Sequence, residues 1–156
     1  MPDVEDVPLL SVLAGPIVVN TIVVVAAIIQ RGDRYLVTRR QAGVHLAGLW
    51  EFPGGKCDNG ESLSAAMARE LREELGIRAT VGAEVLTTTH EYADRRVELH
   101  FLQCQSTDDP SALLGQEMRW VAREELTALD FPPADAELIR ILRSSADLQV
   151  GRKQRT

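Results

Sequence analysis

Cysteine is scarce in this sequence, with Cys57 and Cys104 as its two copies, at a spacing that makes neither a metal site nor a disulfide framework. Both are expected to be ordinary reduced thiols. Positive charge is also short: the net charge is −6, which argues against a broad surface for a nucleic-acid polymer, because such surfaces draw on clustered Lys and Arg. A free nucleotide held by a metal and a few arginines stays compatible. No long apolar run is present. Ile17 to Ile29 is interrupted by Asn20 and Thr21 and is shorter than the roughly 20 residues that a membrane span requires. Pro2, Asp3, Glu5 and Asp6 stand where a secretory signal would carry basic residues, so the expected location is cytoplasmic, with no membrane partner. His90 and His100 belong to no motif, and no internal repeat is found.

What is present is enough for one globular domain: 156 residues, 45% apolar and 26% charged, suffice to bury a core. The expected organisation is an N-terminal extension over 1–16, a folded domain over 17–145 and a tail over 146–156 that ends in Arg152-Lys153-Gln154-Arg155. Val18 to Ile29 is rich in β-branched residues, Gly32-Asp33 supplies a turn and Tyr35 to Thr38 alternates, so residues 18 to 39 read as a hairpin. Gln41 to Gly55 reads as a loop. Val81 to Glu91 and Val97 to Gln105 form a second hairpin about Ala93-Asp94-Arg95, Trp120-Val121 a short strand, and Glu124 to Leu126 a helical turn. A last helix is expected from about Pro132-Pro133-Ala134-Asp135, with Leu138, Ile139, Ile141 and Leu142 on its apolar side. Strands mixed irregularly with two main helices indicate an α+β layered domain.

The segment Gly55 to Ile77, GKCDNGESLSAAMARELREELGI, carries the chemistry. Ser62 is a plausible N-cap, Gly76 stands where a left-handed terminator belongs, and a helix of about 13 residues lies between them. At 100° per residue Glu70, Glu73 and Glu74 share an arc of roughly 100°. Such carboxylates repel at about 0.2–0.5 kcal/mol per pair, and Arg69 relieves only part of this. A hard divalent cation would relieve most. The alternative is a solvated face with i,i+4 ion pairs.

Gly55, Glu61, Arg69, Glu70, Leu71, Glu73, Glu74, Gly76 and Ile77 fill every defined position of the Nudix box, so the chain resembles the Nudix hydrolases. That resemblance implies a Nudix fold, an α/β/α sandwich with mixed β-sheets, and Mg²⁺ as cofactor, with Mn²⁺ able to substitute. It also implies roles. Glu70 would be the base, Glu73 and Glu74 metal ligands, Arg69 an orienting residue for the glutamates, and Gly54-Gly55 the source of a backbone carbonyl ligand. Glu117, in Gly115-Gln116-Glu117-Met118-Arg119-Trp120, is the candidate ligand outside the box, with a solvated loop carboxylate as its other reading. Glu61 would tie the loop to the helix.

Thr38-Arg39-Arg40, His45, Leu49 to Lys56, Glu91 to Arg95 and Phe131 to Asp135 are similar to the MutT branch, which hydrolyses nucleoside triphosphates to a monophosphate and pyrophosphate. On that analogy Arg40 and Arg95 would meet phosphate or base, His45 phosphate or ribose, and Tyr92 would stack near the nucleobase. Trp50 and Trp120 are read as packing residues. Asp135 departs from the pattern of the 8-oxo-dGTP enzymes, which carry asparagine after Pro-Pro-Ala. An ionised carboxylate only accepts hydrogen bonds; it repels a carbonyl O6 and suits the exocyclic amine of cytosine. The residue is also placed to be an ordinary N-cap. Both readings remove the amide, so (d)CTP, 5-modified dCTP or a broad range is expected ahead of strict 8-oxo-dGTP selection. ADP-ribose-type cleavage and a catalytically inactive nucleotide sensor rank lower, and the oligomer is a monomer or a homodimer.

Overall fold

A computed structural model describes residues 20–43 and 46–144. The extension over 1–16, the tail over 146–156 and His45 lie outside the described residues. The sequence-predicted first hairpin is strand β1 (Asn20–Arg31) and strand β2 (Arg34–Arg39), joined by Gly32 at a φ of 60°. Strands β3 (Trp50–Glu51) and β4 (Gly54–Lys56) follow, then helix α1 (Leu63–Leu75), strands β5 (Thr80–Glu91), β6 (Arg95–Gln105) and β7 (Glu117–Ala122), a 3-10 turn over Arg123–Ala128, a second over Pro133–Asp135, and helix α2 (Ala136–Ser144). No helix among the described residues is long and apolar enough to cross a membrane.

The sheet runs β3-β2-β1-β6-β5, with β4 added to β1 and β7 to β2. β1 and β6 are parallel, from Asn20↔Arg95 to Ile29↔Cys104, and the other pairs are antiparallel. It is a mixed sheet between helices, as the α+β reading requires. Period-2 alternation explains why β1 is apolar without interruption. Val25, Ala27 and Ile29 face α1, where Met67, Leu71 and Leu75 are fully buried. Ala26 and Ile28 face the opposite layer of Leu126, Leu138 and Leu142. Each of the larger side chains contributes about 1.5–3 kcal/mol on burial.

The ends of α1 match their sequence signals. Ser62 accepts a hydrogen bond from the Ala65 N–H at 3.1 Å, and Gly76, at a φ of 69°, ends the helix with its N–H on the Arg72 carbonyl at 3.0 Å. The stretch from Gln41 to Gly55 differs from expectation, since it contains two short strands. Their glycine and proline content reads locally as loop, and the pairing comes from distant partners: Thr38↔Glu51 on one side and Ala26↔Gly54 on the other. β7 is likewise longer than its two-residue signal because β2 pairs with it from Arg34↔Ala122 to Arg39↔Glu117.

At Gly54 the crossing of β4 over β1 leaves no room for a side chain. A Cβ there would stand 1.9 Å from the Val25 carbonyl oxygen and 2.8 Å from the Ala26 Cα. Backbone at that distance does not rotate away. Gly54→Ala is therefore expected to destabilise the domain by about 3 kcal/mol, read as a lowered midpoint in chemical denaturation; an unchanged midpoint would show that the crossing yields.

Candidate active site

Arg69 fastens the glycine loop to α1. Its guanidinium donates to Glu61 (2.8 and 2.9 Å), Glu70 (3.1 Å), Glu73 (3.2 Å) and the Lys56 carbonyl (3.0 Å). The Arg69 hydrogen bonds, with one from the Asp58 N–H, pull the Glu61 carboxyl down to about 2. Glu61 thus joins the loop to the helix.

The three box glutamates do not stay together. Glu70 and Glu74, about 40° apart around the helix, meet in a side-chain hydrogen bond, whereas Glu73, about 100° from Glu74, turns outward onto Arg69 with 57% of its side chain exposed. Burial, then the bond to Glu70 and the Glu70 and Glu51 charges, push Glu74 up to about 9, partly offset by a hydrogen bond from the Gly54 backbone. Burial and the neighbouring carboxyl thus favour the neutral form of Glu74. Among the described residues no three His, Cys, Asp or Glu side chains already converge as an ion cage.

The glycines fit the pair closely. Gly54 offers its N–H to Glu74, and a Cβ on Gly55 would fall 2.5 Å from the Glu70 carboxyl. Bare backbone at both positions leaves space for the glutamates. A cradle of oxygen donors that retains a proton for want of positive charge suits a hard divalent cation, with Glu70 and Glu74 as its donors and Glu51 nearby.

Glu51 is the residue that sequence reading missed. It lines one cleft of about 210 Å³ with Glu74, Gly54, Arg40 and Gln116, its pKa is raised by burial against the opposing pull of Arg40, and it bonds to Arg40 at 2.8 Å. A signal was available: a carboxylate between Trp50 and Phe52, 5% and 3% exposed, has to point away from both. Glu117 is the corresponding correction. Thr38 stands opposite Glu51 while Arg39 stands opposite both Trp50 and Glu117, so the pleat puts Glu51 and Glu117 on opposite faces. Glu117 pairs with Arg39 at 3.2 Å and Arg119 at 3.4 Å. Buried Gln116, its neighbour, is the one that reaches the helix, donating to the Glu74 carbonyl at 3.3 Å.

A second cleft of about 290 Å³ adjoins the first and shares Arg40, Glu51 and Gly54 with it. Val97, Leu99, Phe101 and Phe52 make it apolar, and Tyr92, Arg95 and Asp135 line it as well. Arg95 lies 5.0 Å from the centre of the Tyr92 ring, and Tyr92 is half exposed. Asp135 is 6% exposed; burial and the Glu51 charge push it up to about 7, and no hydrogen bond from a described residue offsets them. The capping reading of Asp135 is thereby corrected, because the tight turn over Pro133–Asp135 is closed by its backbone N–H on the Pro132 carbonyl at 3.0 Å. Four of the five sequence-derived substrate residues, Arg40, Tyr92, Arg95 and Asp135, therefore share one cleft, and His45 lies outside the described residues. Trp50 packs in the core as read.

Comparison with known proteins agrees with this geometry. The model of the NUDIX domain matches residues 24–140. The chain is 42% identical over 117 residues to a CTP pyrophosphohydrolase of Escherichia coli K12, covering 74% of this chain and 87% of the relative. It is 34% identical over 122 residues to an 8-oxo-dGTP diphosphatase of the same strain, covering 78% and 95%. The solution structure of the E. coli ORF135 protein superposes with a TM-score of 0.74 at 39% identity, covering 83% of this chain and 96% of that one. The box, the mixed sheet between helices and these likenesses agree, and the chain belongs to the NUDIX domain family as a MutT-like hydrolase.

Proposed function

We propose that this chain is a magnesium-dependent nucleoside triphosphate pyrophosphohydrolase, releasing nucleoside monophosphate and pyrophosphate, with cytosine-type or broad base selection ahead of strict selection for 8-oxo-dGTP. The observation that carries it is the hydrogen-bonded Glu70–Glu74 pair opening, through Arg40, onto an apolar cleft that holds the buried Asp135. The relatives named for CTP and for 8-oxo-dGTP support the reaction class and leave the base open.

Phosphate anhydrides resist water because negative oxygens screen the phosphorus, so the site must neutralise charge and align the nucleophile. Glu70, Glu74 and Glu51 would hold the cation. Bound there, Mg²⁺ supplies charge neutralisation and a lowered pKa for the attacking water. Glu70, which also accepts from Arg69, is assigned the water's proton. Glu73 stays a peripheral charge held by Arg69. Arg40 lies between the clefts and meets phosphate, while Tyr92 and Arg95 flank the base. Glu117, on the opposite face, is left out of the ligand set.

Asp135 sets base preference through its protonation. Ionised, it accepts from the cytosine amine and repels a guanine O6; neutral, it also donates and imitates the amide. Raising the pH through about 7 thus favours cytosine over 8-oxoguanine.

Three outcomes test this reading. Glu74→Gln is expected to lower the rate of pyrophosphate release by at least about a hundredfold with the fold intact by circular dichroism, and retained turnover would remove Glu74 from the site. Asp135→Asn should raise the kcat/KM ratio of 8-oxo-dGTP to dCTP by about tenfold, the equivalent of roughly 1.4 kcal/mol within the range of one base contact; a wild-type preference above about a hundredfold for 8-oxo-dGTP would overturn the ordering of substrates, that being more than one such contact supplies. The third concerns the metal-free protein. Glu74, with a native value of about 9 against an ordinary 4.5, binds more protons folded than unfolded between those limits. Stability is then full below about 4.5 and falls as pH rises towards 9. Thermal melts in chelator should show this decline, and Mg²⁺ should raise Tm more at pH 8.5 than at pH 6. An equal rise at both would mean that the ion does not displace the proton.

A further inference from the structure

An open groove of about 640 Å³ lies on the outer side of the α2 layer, away from α1. Leu126, Leu129, Phe131, Pro132 and Ile139 give it an apolar lining, and the charged residues among the described lining are Arg140 and Arg143. Arg140 is 70% exposed and pairs only loosely with Glu137, at 3.5 Å. Arg143 donates to the Thr127 hydroxyl at 2.9 Å. An apolar surface with a cationic edge asks for an apolar segment preceded or followed by acids.

The chain carries one. Residues 3 to 13 read DVEDVPLLSVL: Asp3, Glu5 and Asp6 precede Val7, Leu9, Leu10, Val12 and Leu13, and no Lys or Arg occurs before residue 20. The tail after Ser144 is the opposite, with Arg152, Lys153 and Arg155 against a single Asp147, and would be repelled by the same edge. β1 begins at Asn20, whose Cα partner is Arg95, and Arg95 lines the same cleft as Pro132, which in turn lines the groove. Seven extended residues, from Leu13 to the start of β1, span up to about 23 Å.

We infer that residues 3–13 of this chain dock in the groove between the Arg123–Ala128 turn and α2, their aliphatic side chains on Leu129, Phe131 and Ile139 and their acids on Arg140 and Arg143. The inference concerns a surface outside the glutamate site and does not depend on the reaction proposed above.

The test uses the full chain with Cys57→Ser, so that added cysteines report alone beside buried Cys104. Leu10→Cys is combined with Ala136→Cys in the groove, or with Arg72→Cys on α1 across the sheet as a control. Mild oxidation should close an intramolecular disulfide at least about tenfold faster in the first pair, a gain of effective concentration, seen as a compact monomer on a non-reducing gel. Reversing the edge with Arg140→Glu and Arg143→Glu should slow closure by about fivefold, and adding Asp3→Lys, Glu5→Lys and Asp6→Lys should restore it, as expected for paired charges. Equal rates in the two pairs would overturn the inference. So would disulfide-linked dimers from the first pair, which would give the groove to a second copy of the chain, or closure indifferent to both charge changes.

Discussion

The site depends on a close approach of backbone to carboxyl groups. Gly54 and Gly55 carry β4 across β1 and under the start of the glutamate pair with no Cβ at either position. The same two residues do different things because successive residues of a strand face opposite sides. Gly54 meets the Val25 backbone, so its missing side chain serves the fold, while Gly55 meets the Glu70 carboxyl, so its missing side chain serves the site. With the backbone this near, Glu74 loses most of its water and gains one N–H in exchange. One hydrogen bond does not replace the solvation of an ionised carboxylate. Glu74 therefore stays neutral well above the usual carboxylate range.

Arg69 does not offset this because its five donors are already committed to Glu61, Glu70, Glu73 and the Lys56 carbonyl. Its work is positional. It fixes the loop against α1 and bonds Glu70 and Glu73 through the same nitrogen. Arg40 is the other near cation, and it is drawn to Glu51 at 2.8 Å. Both arginines thus orient carboxylates without neutralising Glu74.

Much of this was legible in the sequence where the determinants are local. The helix, its Ser62 cap, its Gly76 terminator and the hairpin at Gly32 follow from neighbours within a few residues. β3 and β4 were not legible, because Trp50–Glu51 and Gly54–Lys56 are strands only by virtue of partners in β2 and β1. The same limit hid Glu51. Its role needs the register of β3 on β2, and a shift of one residue would have exchanged it for Phe52. Glu117 was the mirror error: it lies beside the right residue, Gln116, on the wrong face of the pleat. How the helical face divides also needed the fold: Glu73 turns onto Arg69 while Glu70 and Glu74 meet.

Two clefts meet at a single strand end, and this joins chemistry to recognition. β3 turns Glu51 towards Glu74 and Phe52 into the cluster of Phe101 and Phe131, so adjacent residues serve the acidic and the apolar side. Arg40, at the end of β2, lines both clefts. A nucleotide laid along this line would place phosphate over the carboxyl pair and base against Asp135, with Glu51 between them. The Glu51 charge raises both Glu74 and Asp135, and any cation that neutralises Glu51 lowers both together. Under the proposed function, metal occupancy and the charge of Asp135 would be linked through one glutamate. In the proposed reaction the cation that prepares the phosphate site also favours the ionised Asp135, and with it the cytosine amine over a guanine carbonyl.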